Sequence, residues 1–145
     1  VAITASGLYY TTFRDALSNT IALDLASDTD NKIALHSNSL SPNFDSDTVW
    51  TNGSEVTGTG WVTGGYAIGT TTFGVSTGTL QWGGANVSQS GTTLSGVRGG
   101  LIYGLQGSTK NLVCLVNFTQ DYGTSNGIFA INWSGGLIFT IDLTP

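Results

Sequence analysis

LIYGLQGSTKNLVCLVNF, residues 101–118, is the stretch on which the fold turns. Two apolar runs, Leu101 to Leu105 and Leu112 to Phe118, flank a polar, glycine-containing break. A turn through Gly107 to Lys110 makes them a β-hairpin, pairing Leu105 with Leu112 and Tyr103 with Cys114 and setting Ile102 to face Leu115. Apolar side chains then project from both faces. A hairpin of that kind belongs at the centre of a fold, covered on both sides.

Toward the C terminus, GIFAINWSGGLIF at 127–139 predicts a second hairpin. Residues paired across two antiparallel strands point to the same face, so side-chain matching sets the register. With Ser134, Gly135 and Gly136 as the loop, Trp133 meets Leu137, Ile131 meets Phe139 and Phe129 meets Ile141. Asn132, Thr140 and Asp142 are left on the other face, and Gly136 supplies the left-handed residue of the loop.

The rest of the chain is read the same way. Apolar residues come in pieces of four to eight between Gly and Asn/Asp turns, which is a strand pattern. Ile21, Leu23 and Leu25 alternate with polar or small residues, as do Ile33 and Leu35, and both read as half-buried strands. Further strands are expected over Tyr66 to Phe73, Leu80 to Trp82, Thr92 to Val97 and Leu137 to Leu143. A short amphipathic helix, capped by Thr11 or Thr12, runs from Phe13 and ends near Asn19. Residues 37–57 are polar, broken by Pro42, and read as a long surface excursion. The expected fold is all-β, an antiparallel β-sandwich or jelly-roll-like barrel with one short N-terminal helix. Residues 1–145 form a single domain in which 1–10 is an extended N-terminal arm.

Composition narrows the chemistry. A chain of 145 residues is large enough to bury a core without metal or disulfide. Lys32, Lys110, Arg14 and Arg98 are the only permanent cations and the net charge is −5, so no basic patch forms for nucleic acid or for an anionic membrane. The single cysteine, Cys114, lies in the apolar LVCLV run and reads as a buried hydrophobe. Sequons begin at Asn52, Asn86, Asn117 and Asn132, an incidence that a chain rich in Asn, Ser and Thr supplies without glycosylation.

Four motifs suggest chemistry and fail on context. GVSTG at 74–78 matches the nucleophile-elbow pattern, but Ser76 lies between two strands, no helix follows, and the only histidine, His36, precedes it. GLQGSTK at 104–110 lacks the Gly-Lys-Ser/Thr order of a phosphate loop. Asn43, Asp45 and Asp47 alternate like calcium ligands but lack the central glycine, and Glu55 comes one residue too late to close the loop. One His and one Cys do not make a zinc set. No catalytic, cofactor or metal residues are therefore assigned.

The order of landmarks resembles a group of small virion proteins of tailed bacteriophages, especially those of actinobacteria. Its carriers are DALSNTIALDLASDTDNKIALHSNSLSPNFDSDTVW at 15–50, EVTGTGWVTGGY at 55–66, Trp82, GLIYG at 100–104 and GIFAINWSGGLIF at 127–139. Gly104 stands where the family pattern carries an acidic residue. The resemblance implies a non-enzymatic decoration or cement protein, made in the host cytoplasm and bound to the major capsid protein on the outside of the capsid. It further implies a homo-oligomer, a trimer being favoured over a dimer because capsid sites are symmetric. Some relatives are tail components, which leaves a tail structural role as the alternative. Candidate contact residues are Leu8, Tyr9 and Tyr10 in the N-terminal arm, Pro42 and Phe44 in the excursion, and Trp50 and Trp61. The two tryptophans serve either as interface anchors or as caps on the sandwich core. A carbohydrate-binding module stacking sugars on Trp50, Trp61 and Tyr66 is a competing class.

Overall fold

The computed structural model describes residues 2–144. Its elements are β1 (Gly7–Leu8), α1 (Tyr10–Leu17), β2 (Asn31–His36), β3 (Tyr66–Ala67), β4 (Thr72–Ser76), β5 (Thr79–Gly83), β6 (Val87–Gln106), β7 (Thr109–Ile131) and β8 (Leu137–Asp142). They form two antiparallel sheets, one in the order β1-β7-β6-β2-β3 and one in the order β4-β5-β8. The fold is an all-β sandwich with one short helix, and the barrel alternative is not realised because neither sheet closes on itself.

The 101–118 hairpin is central, as its two apolar faces require. On one face Ile33, Ile102 and Cys114 join Trp82, Ile68 and Trp61 in the core between the sheets. On the other, Ala34, Leu101, Tyr103 and Leu115 are covered by Ile3, Tyr9 and Trp50, with Leu40 and Phe44 packed alongside. The expected surface excursion is therefore a lid on the outer face of the first sheet, and β2 is buried on both faces instead of half-buried.

The register differs from expectation. The turn is a two-residue loop, with Gln106 opposite Thr109 and Gly107 at φ 61°. Leu105 consequently meets Lys110, and Tyr103 meets Leu112. Between Ile102 and Tyr103 the ladder shifts because Val113 is an extra residue on β7, so Ile102 faces Cys114 and Leu101 faces Leu115. The pairings Leu105 with Leu112, Tyr103 with Cys114 and Ile102 with Leu115 are thus replaced. The tighter turn and the bulge together leave an apolar residue on each face.

Separate strands expected at Thr92–Val97 and Leu101–Leu105 are one strand, β6, and the two expected at Leu112–Phe118 and Phe129–Trp133 merge into β7. Gly99 and Gly100 do not turn the chain. A Cβ on Gly100 would lie 2.5 Å from the Ile33 Cδ1 atom, so glycine is there for close packing. The register instead slips several times between Gln89 and Gly99, which lets so long a ribbon bend.

The C-terminal hairpin does not form. Ser134–Gly136 makes a 3-10 turn with Gly135 and Gly136 at φ 63° and 72°, but β8 leaves the first sheet and pairs with β5, Phe139 opposite Trp82 and Ile141 opposite Leu80. Ile131 is already paired to Val87. Trp133 turns the corner by donating its backbone N–H to Asn86 Oδ1 and its Nε1 to the Ala85 carbonyl, both at 2.9 Å. The reading of faces holds, since Phe139 and Ile141 share one, but the partner strand is different.

Three local expectations are also corrected. Ile21–Leu25 is a loop, held by Asn31 donating Nδ2 to the Asp24 and Ser27 carbonyls and by Trp82 donating Nε1 to the Leu25 carbonyl at 2.7 Å. Asp24 Oδ1 accepts from the Ala26 N–H, a local bond that competes with a strand. Tyr66–Phe73 divides, β3 ending one sheet and β4 beginning the other. Helix α1 starts at Tyr10 with no side-chain cap, and Thr12 is buried where Thr11 or Thr12 had been expected to cap. The N-terminal arm is docked: Gly7 and Leu8 pair with Leu115 and Cys114, and Ile3 is buried; Val1 lies outside the described residues.

Two outcomes test this packing. Cys114 is buried and its thiol is pushed up to about 12 by desolvation, so native protein should resist a bulky thiol reagent that labels the unfolded chain fully. Gly65 has φ 69° and a Cβ there would meet the Ile33 carbonyl, so Gly65→Ala should cost at least about 2 kcal/mol in denaturant unfolding. Gly69→Ala, whose Cβ meets nothing within 4 Å, should change stability by about 0.5 kcal/mol or less.

Candidate interaction surfaces

Of the seven candidate contact residues, Tyr9, Tyr10 and Phe44 come together. The Tyr9 ring lies 5.1 Å from that of Phe44, and Tyr10 lies 6.4 Å from Phe44 on the other side. Tyr10 N–H donates to the Phe44 carbonyl, which clips the arm to the excursion. Tyr9 is buried and Phe44 half-buried over the outer face of the first sheet, leaving Tyr10 as the exposed member of the three. Leu8 and Pro42 are half-buried, and Leu8 packs on the opposite face, against the core between the sheets.

Trp50 and Trp61 are core residues, at 8% and 1% exposure. Both are buried as the core-cap alternative describes, and in the single chain neither ring offers a face to a partner. Trp61 packs edge-on against Tyr66 and Phe129 between the sheets, while Trp50 lies over Tyr103 on the outer face. The sheet separates them, so Trp50, Trp61 and Tyr66 do not make a flat sugar-stacking platform.

Trp50 anchors a polar group on the outer face of the first sheet. Its Nε1 donates to His36 Nε2 at 3.2 Å, and Lys110 Nζ sits 3.9 Å above its ring centre. Tyr103 donates its hydroxyl to the Gly64 carbonyl at 2.7 Å, and Glu55 accepts the Gly64 N–H at 2.6 Å. Burial lowers His36 to about 4, the Gly53 backbone pulling the other way, and burial also raises Glu55 against the pull of the Gly64 N–H and Lys110. A histidine neutral at pH 7 and bonded through Nε2 to an indole is spent as an acceptor. The group fastens the 37–65 segment to β2, β6 and β7.

The motifs with suggestive spacing are turns. Ser76 pairs with Thr79 across a two-residue loop of Thr77 and Gly78, at φ 48° and 78°, so GVSTG closes the β4–β5 hairpin. Asp47 Oδ2 accepts the Asn43 N–H at 2.8 Å and Asn43 Oδ1 accepts the Asp45 N–H at 3.1 Å, turning these oxygens onto the backbone. Among the described residues no cluster of three or more His, Cys, Asp or Glu is placed to hold a metal, and no helix is long and apolar enough to cross a membrane.

The surface shape that stands out was not foreseen. An open trough of about 440 Å³ runs along the second half of β7, lined by Val116, Phe118, Tyr122, Ile128, Phe129 and Trp133. A second hollow of about 230 Å³ adjoins it at Val116 and reaches Leu8, Ile138 and Phe139. Tyr122 and Ile128 are exposed, and nearby Arg98 and Asp121 neutralise each other at 2.7 Å. The trough's residues lie along one strand, β7, that the sequence divides into two, so nothing local marks them as one surface.

His36 supplies a pH test. The folded state holds it neutral down to about 4 whereas the unfolded chain takes up a proton near 6.5, so its contribution is complete above 6.5 and is lost as pH falls toward 4. Imidazole NMR shifts of the native protein should show no titration between pH 8 and about 5, and His36→Gln should flatten the decline in stability below about pH 6.5. In comparisons with known proteins, no family model, no curated protein and no solved structure matches this chain.

Proposed function

We propose that this chain is a non-enzymatic structural protein of a bacteriophage particle, a decoration protein that binds the major capsid protein on the outer face of the shell and stiffens it. The observation that carries the reading is the apolar trough along β7, an open contact surface on a body that carries few charges. The landmark resemblance supplies the identity of the partner. The arm clipped onto Phe44 and the lid over the first sheet make the protein a rigid block, suited to bridging subunits with little ordering cost on binding. Contacts made by Tyr122, Ile128 and uncharged polar residues contain few ion pairs for salt to screen.

The test mixes purified protein with undecorated capsids and sediments them across a range of salt. Saturable cosedimentation that persists at high ionic strength is expected. Ile128→Asp and Tyr122→Ala, both at exposed positions, should weaken binding by about tenfold or more while leaving the unfolding transition in place. Failure to cosediment at any salt, or antibody labelling confined to tails, overturns the capsid assignment.

A further inference from the structure

The three-stranded sheet has one apolar and one polar face. Phe73, Trp82 and Phe139 align across it, as do Val75, Leu80 and Ile141, while Gly74 pairs with Gln81 and Gln81 with Thr140 on the opposite side. Trp82 is fully buried against the first sheet. The apolar face continues past that cover, however, and at the β4 edge Phe73 is 43% and Val75 71% exposed. β4 has an open edge. β1 and β3 are two residues long and β8 ends at Asp142, whereas TFGVS in β4 carries no charge and no proline.

The geometry points to β4 as the site of two-fold self-association, pairing antiparallel with β4 of a second copy about Gly74. The sequence is self-complementary in that register. Phe73 falls opposite the second copy's Val75 and Val75 opposite its Phe73, all on the apolar face, while Thr72 falls opposite Ser76 and glycine opposite glycine on the polar face. Hydrogen bonding agrees. In a two-residue hairpin the closing pair, Ser76 and Thr79, is hydrogen-bonded, so Gly74 and Thr72 also bond inward to β5 and the N–H and C=O of Phe73 and Val75 point outward. Those are the groups the register brings together, so each Phe73–Val75 pair exchanges both of its bonds. Gly74 sits on the axis with open space where a Cβ would be. The product is a continuous six-stranded sheet in which the exposed Phe73 and Val75 of both copies cover one another. A second copy is the favoured occupant because the edge matches itself in side chains and in backbone donors and acceptors at one register. A symmetric interface demands that match, and an unrelated strand would meet it only by coincidence.

This gives the homo-oligomer that the resemblance implies a surface and makes it two-fold, in place of the trimer favoured from capsid symmetry. Its test uses the chain alone, so capsid binding and pairing can fail separately. Wild-type protein should sediment at twice the chain mass with a concentration-dependent return to the single chain, and Val75→Lys should abolish the larger species while keeping the monomer's unfolding transition, since Val75 is exposed. Gly74→Cys places two Cα atoms about 4.5 Å apart across the axis, within disulfide reach, and should give a covalent dimer on mild oxidation. Val62→Cys, at an exposed site away from the edge, should not. Cys114 is buried in both variants. A single-chain mass at every concentration, a trimer, or crosslinking of Gly74→Cys no faster than of Val62→Cys overturns the proposal, and the crosslinking result decides if Val75→Lys fails to fold.

Discussion

The structure depends on covering the β2–β6–β7 sheet on both faces. Ile33, Ile102 and Cys114 on one side and Ala34, Leu101 and Leu115 on the other leave no face for water. A single second sheet can satisfy only one of them. The other must be closed by whatever chain remains, and here that is the N-terminal arm and residues 37–57. Segments that look like loops therefore carry core residues, and their backbone polar groups need partners inside the protein. Tyr9 N–H donates to the Val113 carbonyl, Trp50 N–H to Lys110 and Val56 N–H to Leu35, tying the lid down at intervals.

The same demand explains the aromatic and polar groups that resemble functional sites. Trp50 needs a partner for its indole N–H once buried, and His36 provides it. Lys110 covers the ring and keeps its charge near the surface. Glu55 and Tyr103 secure Gly64 from its two sides, donor and acceptor each matched. The arrangement has the residue types of a catalytic cluster, but each polar atom named is committed to holding a segment in place.

Two surfaces remain open. The trough lies along β7 in the larger sheet, and β4 is the outer strand of the smaller one, with no strand paired beyond it among the described residues. One surface is concave and aromatic, suited to a side chain or loop of another protein. The other is a flat strand edge suited to its own copy.

Apolar periodicity and turn residues alone determined the all-β class, the central hairpin, the burial of Cys114, the turn at GVSTG and the turn at Ser134–Gly136, because these depend on neighbours within a few residues. The sequence also showed which residues of β8 share a face. It did not show which strand they face, since Trp82 and Ile131 are equally apolar partners and only the packing of the whole sheet assigns β8 to Trp82. Tertiary structure likewise decided the register at Val113, where a bulge costs little locally and is set by the need to fill both faces. It decided the fate of Ile21–Leu25, whose alternation is that of a strand but whose backbone is claimed by Asn31 and Trp82. The positions of Trp50 and Trp61 were settled there too, because a tryptophan between glycines and polar residues reads the same whether it faces a partner or closes a core. That distinction depends on what lies above the ring, which residues distant in sequence supply.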